Sequence, residues 1–429
     1  MNVAELRTTL PSRLVKIAEA IHVAGGRCFL VGGWVRDALL GIPSRDFDVE
    51  VYGMSQDALL ELLRGYGRPN LVGKSYGVIN LYSQGIQYDF SFPRLECKVG
   101  VGHRAFAVET REDLDFKTAA ARRDFTINAM GMELPDLRLE DPYGGMQDLE
   151  ARLLRHVGPA FSEDSLRVLR AVQFAARFAL RVDSQTVALC RTLDLSELSR
   201  ERIYEEFRKW LVKSSQPSFG MTAFVQMDMQ RFFPWIKPPA DWAWEDLGRF
   251  LDEVAKERAG DDQEPFVLML AGLGIGCAEE FGFQAFLEYM TQEQSILRLA
   301  PALRREAPLL RNALLAIEFP QDPWIRRLAL RVSLSQAVRY VRAWFRTIGM
   351  NAQERCDQFQ VRAQTLGVWN APPEPYLTGR ILMGLGLKPG KFFGEWIAEC
   401  FDLQLDGYIQ NAEQAKEWAE RKVSANGIS

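Results

Sequence analysis

The stretch GIPSRDFDVEVYG, residues 41–53, carries Asp46 and Asp48 two positions apart in a segment that reads as a β-strand. Side chains two apart on a strand share a face, and strands are poor in aspartate. Two carboxylates side by side repel each other unless a cation lies between them. Hard oxygen ligands suit Mg²⁺, which takes carboxylates together with phosphate oxygens and keeps several waters. Just upstream, FLVGGWVRDALLG sets Gly32 and Gly33 between an apolar run and a short helix. Glycines let backbone approach a bulky ligand, and a helix start offers unpaired N–H groups to an anion. Acid pair, glycine pair and helix start together predict a triphosphate site with Mg²⁺, suited to two-metal phosphoryl or nucleotidyl transfer. Asp89, in IQYDFSF, is the candidate third carboxylate from an adjacent strand.

Other stretches extend the chemistry. In ARRDFTINAM, read as a helix feeding a strand, Arg122 and Arg123 are fixed cations for phosphate oxygens. Asp124 and Asn128 lie one helical turn apart and face one ligand. In EDSLR, Asp164 and Arg167 project together from a helix at a spacing of three. A carboxylate accepts hydrogen bonds and a guanidinium donates them. Cytosine and adenine share an edge with an exocyclic amine next to a ring-nitrogen acceptor, so the pair can take either base. Guanine and uracil would leave both groups unpaired, which is where large discrimination arises. Glu163 is placed to orient the arginine; the plainer alternative is a helix start capped by Ser162. DPYGGMQDL suggests a turn in which Asp141, Gly144 and Gly145 act as a hinge, and RERIYEEFRKWL a structural network of Arg202, Glu205 and Lys209. Farther on, Arg326, Arg327, Arg331, Arg339, Arg342 and Arg346 stand against one acid, Asp322, in a single stretch. Such arginines suit phosphates, which position a duplex without reading it, and an A-form duplex known by shape.

The elements that must hold these groups change character along the chain. Up to about residue 135, short apolar runs alternate with glycine turns and helical patterns: RCFLVGG and DFDVEVYG as strands, SQDALLELLRGYG as a helix with a serine cap, YGVINLYS and IQYDFSFP as a hairpin about Gly85. Residues 94–117 read as a long mobile loop or flap. FSEDSLRVLRAVQFAARFAL is an amphipathic helix with Leu166, Leu169, Val172 and Phe174 near one face, and after residue 215 almost everything is helical. An α+β head with a small mixed sheet, followed by an all-α region, is the expected architecture.

Composition narrows the function classes. The 429 residues are 47% hydrophobic and 25% charged, with a net charge of −4, which is ordinary for a globular protein and does not advertise a nucleic-acid binder. The six cysteines are widely spaced with no C-x-x-C, arguing against zinc and disulfide frameworks, and the three histidines are scattered. No apolar run is long enough to span a membrane, the N-terminus reads as an amphipathic helix, and a cytoplasmic location is expected.

LVGGWVRDALLG…RDFDVEVYG resembles the first motif of the class II tRNA nucleotidyltransferases and bacterial poly(A) polymerases, members of the polymerase β superfamily. ARRDFTINAM, DPYGGMQDLEARLLRHV, FSEDSLRVLRAVQFAARF and RERIYEEFRKWL continue it in the family's order over residues 28–213, and YLTGRILMGLGLKPGKFFGEWI is similar to the family's C-terminal part. The resemblance implies a catalytic nucleotidyltransferase head at 1–138, a helical neck that recognises the base at 139–213, a helical body at 214–320 and a tRNA-binding tail at 321–429. It implies Asp46 and Asp48 as catalytic, metal-holding residues and Asp124 and Asn128 at the ribose. The nucleotide-binding set is then Gly32, Gly33, Arg36, Arg122, Arg123, Asp124, Asn128, Glu163, Asp164 and Arg167. The expected activity is addition of CCA from CTP and ATP to tRNA held by its acceptor and T-arm. Alternatives are CC- or A-only addition and poly(A) synthesis. The poly(A) enzymes' basic motif is replaced here by LVGKSYGVINLY, and the segment from Pro93 to Ala121 keeps the full length that CC-only members lack. A non-catalytic RNA-binding protein is disfavoured by the intact acid pair and EDSLR.

Overall fold

The computed structural model describes residues 10–72, 78–98, 106–110, 114–261, 263–277 and 280–426. The chain separates into two compact units, Met1–Trp210 with Thr222–Phe232, and Leu211–Met221 with Phe233–Ser429. The four-part division expected above is thus met by two units, the first of which holds the head and most of the segment expected as neck.

The first unit is built on strands β1 Arg27–Val31, β2 Phe47–Tyr52, β3 Arg68–Val72, β4 Val78–Ser83, β5 Ile86–Ser91, β6 Arg94–Lys98, β7 Phe106–Thr110, β8 Gly131–Leu134 and β9 Arg138–Glu140. Seven form a mixed sheet in the order β3-β4-β5-β2-β1-β8-β9. β2 and β5 run parallel, with Asp48 opposite Asp89, and the other neighbours are antiparallel. β1 is central because Cys28, Phe29, Leu30 and Val31 are all buried, as a strand covered on both faces requires. The hairpin about Gly85 forms as expected, Ser83 pairing with Ile86. β6 and β7 pair as an antiparallel ribbon where a loop was expected; residues 99–105 and 111–113 lie outside the described residues.

Helices α1 Ser12–Val23, α2 Gly33–Leu39, α3 Gln56–Arg64 and α4 Phe116–Ala120 serve the sheet. α1 buries Leu14, Ile17, Ala18 and Ile21, one stripe at helical spacing. Ser55 caps α3, its hydroxyl accepting the Ala58 N–H at 3.3 Å. The helix expected across ARRDFTINAM ends at Ala120. Asp124 takes the Phe125 N–H at 2.8 Å, a local bond that competes with the helical ladder. Phe125 is then extended and bridged to His156, and Thr126–Asn128 is one 3₁₀ turn.

α5 Gly145–Glu150, α6 Leu166–Phe178, α7 Ser184–Thr192, α8 Arg200–Lys213 and α9 Pro217–Gln226 follow. α6 is buried over most of its circumference, with Val168, Ala171, Ala175 and Ala176 inside as well as the apolar stripe read from sequence. The GGMQDL turn, expected as a hinge, is held by its own acid. The Asp141 carboxylate accepts the N–H groups of Gly145 at 2.7 Å and Met146 at 2.9 Å. Gly144 has φ +72°, and a Cβ on Gly145 would collide with the Thr126 carbonyl.

The second unit is helical: α10 Trp244–Lys256, α11 Gln263–Leu273, α12 Glu280–Met290, α13 Gln294–Leu315, α14 Asp322–Ala329, α15 Leu334–Thr347, α16 Gln353–Thr365, α17 Gly379–Gly384, α18 Lys391–Leu405 and α19 Ala412–Asn426. α11 is buried from Pro265 to Leu273, and α10, α13 and α15 pack around it. Residues from Leu377 to Ala419 share a core cluster of their own, centred on Leu382, Phe393, Trp396 and Cys400. Among the described residues, no helix is long and apolar enough to cross a membrane.

Because Gly145 fills a space already taken by backbone, Gly145→Ala is expected to destabilise the first unit by about 1–3 kcal/mol, the ordinary cost of overpacking. Urea unfolding of the variant against wild type measures it.

Candidate active site

A cavity of about 570 Å³ opens in the first unit, lined by Gly32, Gly33, Asp46, Asp48, Arg123, Asp124, Asn128, Asp164 and Arg167, with Arg36 at its wall. Ten of the sequence-derived residues therefore meet in one place, from four separate stretches of chain. Gly32 turns β1 into α2 with φ +67° and ψ −127°, a conformation that L side chains rarely adopt. Two guanidiniums lie over the glycine pair: a Cβ on Gly32 would stand 3.3 Å from Nη1 of Arg123, and one on Gly33 3.5 Å from Nη2 of Arg36. Bare backbone beneath fixed cations is a seat for phosphates.

Asp46 lies one residue before β2, not within it, and Asp48 is on the strand; both are exposed, while Phe47 between them is buried. The expected shared face holds. Although Asp48 opens onto the cavity, burial around its carboxylate raises it above the usual carboxylate range. The charges of Asp89 and Asp46 push the same way, and Arg123 opposes them. Asp89 adds its charge but does not line the cavity. Its carboxylate takes hydrogen bonds from Asn80 and, at 2.8 Å, from Gln87. Among the described residues, no three His, Cys, Asp or Glu side chains are grouped to hold a metal.

Behind the acids runs a buried polar network. Arg36 is 4% exposed and forks onto Asp37 at 2.6 and 2.8 Å, while its Nη1 donates to Asn128 at 2.6 Å. Asn128 donates to Asp124 at 3.0 Å, and Arg170 donates to the other Asp124 oxygen at 2.7 Å. Asp124 and Asn128 thus meet as expected, through a 3₁₀ turn and not a helix. Burial alone would raise Asp124. The Arg170 charge and the bonds from Asn128, Arg170 and the Phe125 N–H outweigh it and hold the carboxyl below the usual range. The Phe178 ring lies 4.3 Å beneath the Arg36 guanidinium. Arg36 is therefore a wall that fixes Asn128 and Asp37.

EDSLR is not one helical turn. Glu163 ends a 3₁₀ turn, Asp164 is extended, and α6 starts at Leu166. Asp164 caps it, Oδ1 accepting the Leu166 N–H at 3.1 Å, whereas Ser162 donates to the Pro159 carbonyl. Glu163 pairs with Arg122 and not with Arg167, so Arg122 is answered by a carboxylate and neither residue lines the cavity. Arg167 is held instead by the carbonyls of Ala160 and Arg122, both at 2.7 Å.

Sequence reasoning missed Arg170, Phe174 and Arg177, which line the cavity beside Arg167. Their spacing of three, four and three along α6 was a readable signal of one helical face. It also missed Arg202, whose Nη2 lies 2.8 Å from Asp164 Oδ2 and which lines the cavity too. Of the expected Arg202, Glu205 and Lys209 network, Arg202 binds Asp164, Lys209 pairs with Glu206 and Glu205 with Arg208. The six distal arginines do not present one free basic face. Arg326 donates to the Leu405 carbonyl, Arg327 pairs with Asp406, and Arg331 with Glu306. Arg339 lies 3.9 Å from Glu264, Arg342 pairs with Asp357, and Arg346 with Glu253 and Glu257. The acids that answer them come from neighbouring helices.

A carboxyl held low in the fold stabilises it fully above the unfolded pKa near 4, and that contribution is lost as pH falls through the folded value. Asp124→Asn is therefore expected to lower stability at pH 7 and to flatten the loss of stability on acidification below about pH 4, read from melting temperatures between pH 7 and pH 2.5.

The chain has relatives of known family. Residues 28–155 match the Poly A polymerase head domain. A multifunctional CCA protein of Azoarcus sp. (strain BH72) is 44% identical over 193 residues, covering 44% of this chain and 45% of that protein. One of Pseudomonas paraeruginosa (strain DSM 24068 / PA7) is 37% identical over 281 residues, covering 62% and 67%. The match thus spans about half the length of the first of these and two thirds of the second. In fold, the chain superimposes on a Bacillus stearothermophilus CCA-adding enzyme in complex with CTP with a TM-score of 0.70 at 18% identity, over 97% of this chain and 99% of that one. With five motifs in order, and residues of four of them at one cavity, the chain belongs to the family of class II tRNA nucleotidyltransferases and bacterial poly(A) polymerases.

Proposed function

We propose that this chain is a template-independent nucleotidyltransferase that adds C, C and A from CTP and ATP to the 3′ end of tRNA and releases pyrophosphate. The observation that carries the reading is that one cavity is lined both by the exposed pair Asp46 and Asp48 and by Asp164 with Arg167. Transfer chemistry and base choice are then addressed to the same nucleotide.

The acid pair fits Mg²⁺: two exposed carboxylates face a cavity rich in guanidiniums, and Asp48, raised by burial first and then by the charges of Asp89 and Asp46, gains from a cation beside it. Bound there, Mg²⁺ supplies activation of the tRNA 3′-hydroxyl and stabilisation of the leaving pyrophosphate. The chain's own residues do the rest. Backbone at Gly32 and Gly33, with Arg123 above it, seats the triphosphate. Asn128 and Asp124, fixed by Arg36 and Arg170, wall the ribose. Asp164 accepts the exocyclic amine of cytosine or adenine. Arg167 donates to the ring nitrogen, since each Nη held by a carbonyl keeps a second N–H. The β6–β7 ribbon, within the segment of full family length, supports addition of the terminal A as well as the two C residues.

Purified protein with Mg²⁺ is expected to extend tRNA lacking CCA with CTP and tRNA ending in CC with ATP, one nucleotide type at a time. Asp46→Ala and Asp48→Ala should each slow incorporation by about 10³-fold or more, the several kcal/mol of a lost metal site, while the melting curve stays cooperative. Long A-tails would redirect the reading to a poly(A) polymerase, and full activity in either variant would refute it.

A further inference from the structure

We propose that Arg202 is a positioning residue for nucleotide selection: it holds the Asp164 carboxylate away from Arg167, so that both remain open to a base. The inference rests on the reading of the cavity given above. Asp164 and Arg167 flank the start of α6, and a charge-assisted pair between them would hide the acceptor and the donors that base reading needs. That pair is not formed here. Each partner is engaged elsewhere, Asp164 by Arg202 at 2.8 Å and Arg167 by the carbonyls of Ala160 and Arg122 at 2.7 Å.

The geometry of Asp164 makes the second anchor necessary. Its Oδ1 caps the Leu166 N–H at 3.1 Å, and its backbone is extended at φ −130°, ψ 103°. The last torsion of an aspartate is broad, so one hydrogen bond does not set the carboxylate plane. Arg202 binds the other oxygen, Oδ2, and two bonds on two oxygens fix the plane. Each carboxylate oxygen has about two acceptor sites, so one on each stays open for an exocyclic amine. The anchor is itself anchored: α8 buries Ile203 and Phe207 and brings Arg202 to the cavity from 38 residues downstream of Asp164. Both side chains stay in reach of a ligand, at 34% and 26% exposed.

The test measures kcat and KM for CTP, ATP and UTP on tRNA lacking CCA or ending in CC. Arg202→Ala is expected to lower the CTP-over-UTP ratio of kcat/KM by about tenfold or more, the scale of a misplaced recognition group, with KM for CTP rising more than kcat falls. Arg202→Lys, which restores a single charge-assisted contact, should recover most of the ratio. On an Asp164→Asn background, Arg202→Ala should change selectivity no further. Should Arg202→Ala fail to fold, Arg202→Gln carries the same expectation and keeps the stem. Unchanged selectivity in a folded Arg202→Ala or Arg202→Gln, while Asp164→Asn loses it, overturns the positioning role alone. Unchanged selectivity in Asp164→Asn overturns the reading of the base site itself, and the inference with it.

Discussion

The cavity depends on one buried carboxylate. Asp124 stands in protein interior, where an ion without partners is costly, and it is kept charged by Arg170 on one oxygen and by Asn128 and the Phe125 N–H on the other. Through Asn128 the same charge reaches Arg36, and through Arg36 it reaches Asp37. Helix α2, the 3₁₀ turn after α4 and helix α6 are thereby tied by one polar chain whose members satisfy each other. A network of this kind is favourable only when complete, which places the glycine turn, the Asp124–Asn128 pair and the arginine face of α6 in a single arrangement.

Around that centre, the charges divide the cavity into functions. Where triphosphate would lie, backbone without side chains at Gly32 and Gly33 and the charge of Arg123 leave positive potential with little bulk. Where metal would lie, Asp46 and Asp48 leave negative potential at the rim of a strand. Where the base would lie, Asp164 and Arg167 present one acceptor and one donor system, each already steadied by a partner that is not the other.

Much of this was legible in the chain because the signals are local. The glycine pair, the acid pair and EDSLR each act within a few residues, and residue type with spacing was enough to bring them together. What stayed hidden depended on partners distant in sequence. Arg202 reads as a helix-surface charge until Asp164, 38 residues away, is placed beside it. Glu163 reads as a partner for nearby Arg167, but Arg122, 41 residues upstream, takes it. The helix drawn through ARRDFTINAM failed because Asp124 satisfies its own neighbour's N–H. The basic stretch from Arg326 to Arg346 looked unopposed because Glu253, Glu257, Glu306, Asp357 and Asp406 belong to other helices. Asp89 matched its strand correctly, but the hydrogen bonds of Asn80 and Gln87 were not visible from IQYDFSF alone.

The order in which the cavity can come into being follows from where its walls lie. Its lining begins at Gly32 and ends at Arg202, and the Arg36–Asn128 bond alone closes a separation of 92 residues. Contacts of that span are slow to form, since the chain entropy of a large loop is lost before the contact repays it. During synthesis, a ribosome must therefore release some two hundred residues before the cavity has all its walls. Until then the arginines of α6 and the acids at the start of β2 emerge at different times, and the half-made protein carries only part of the lining.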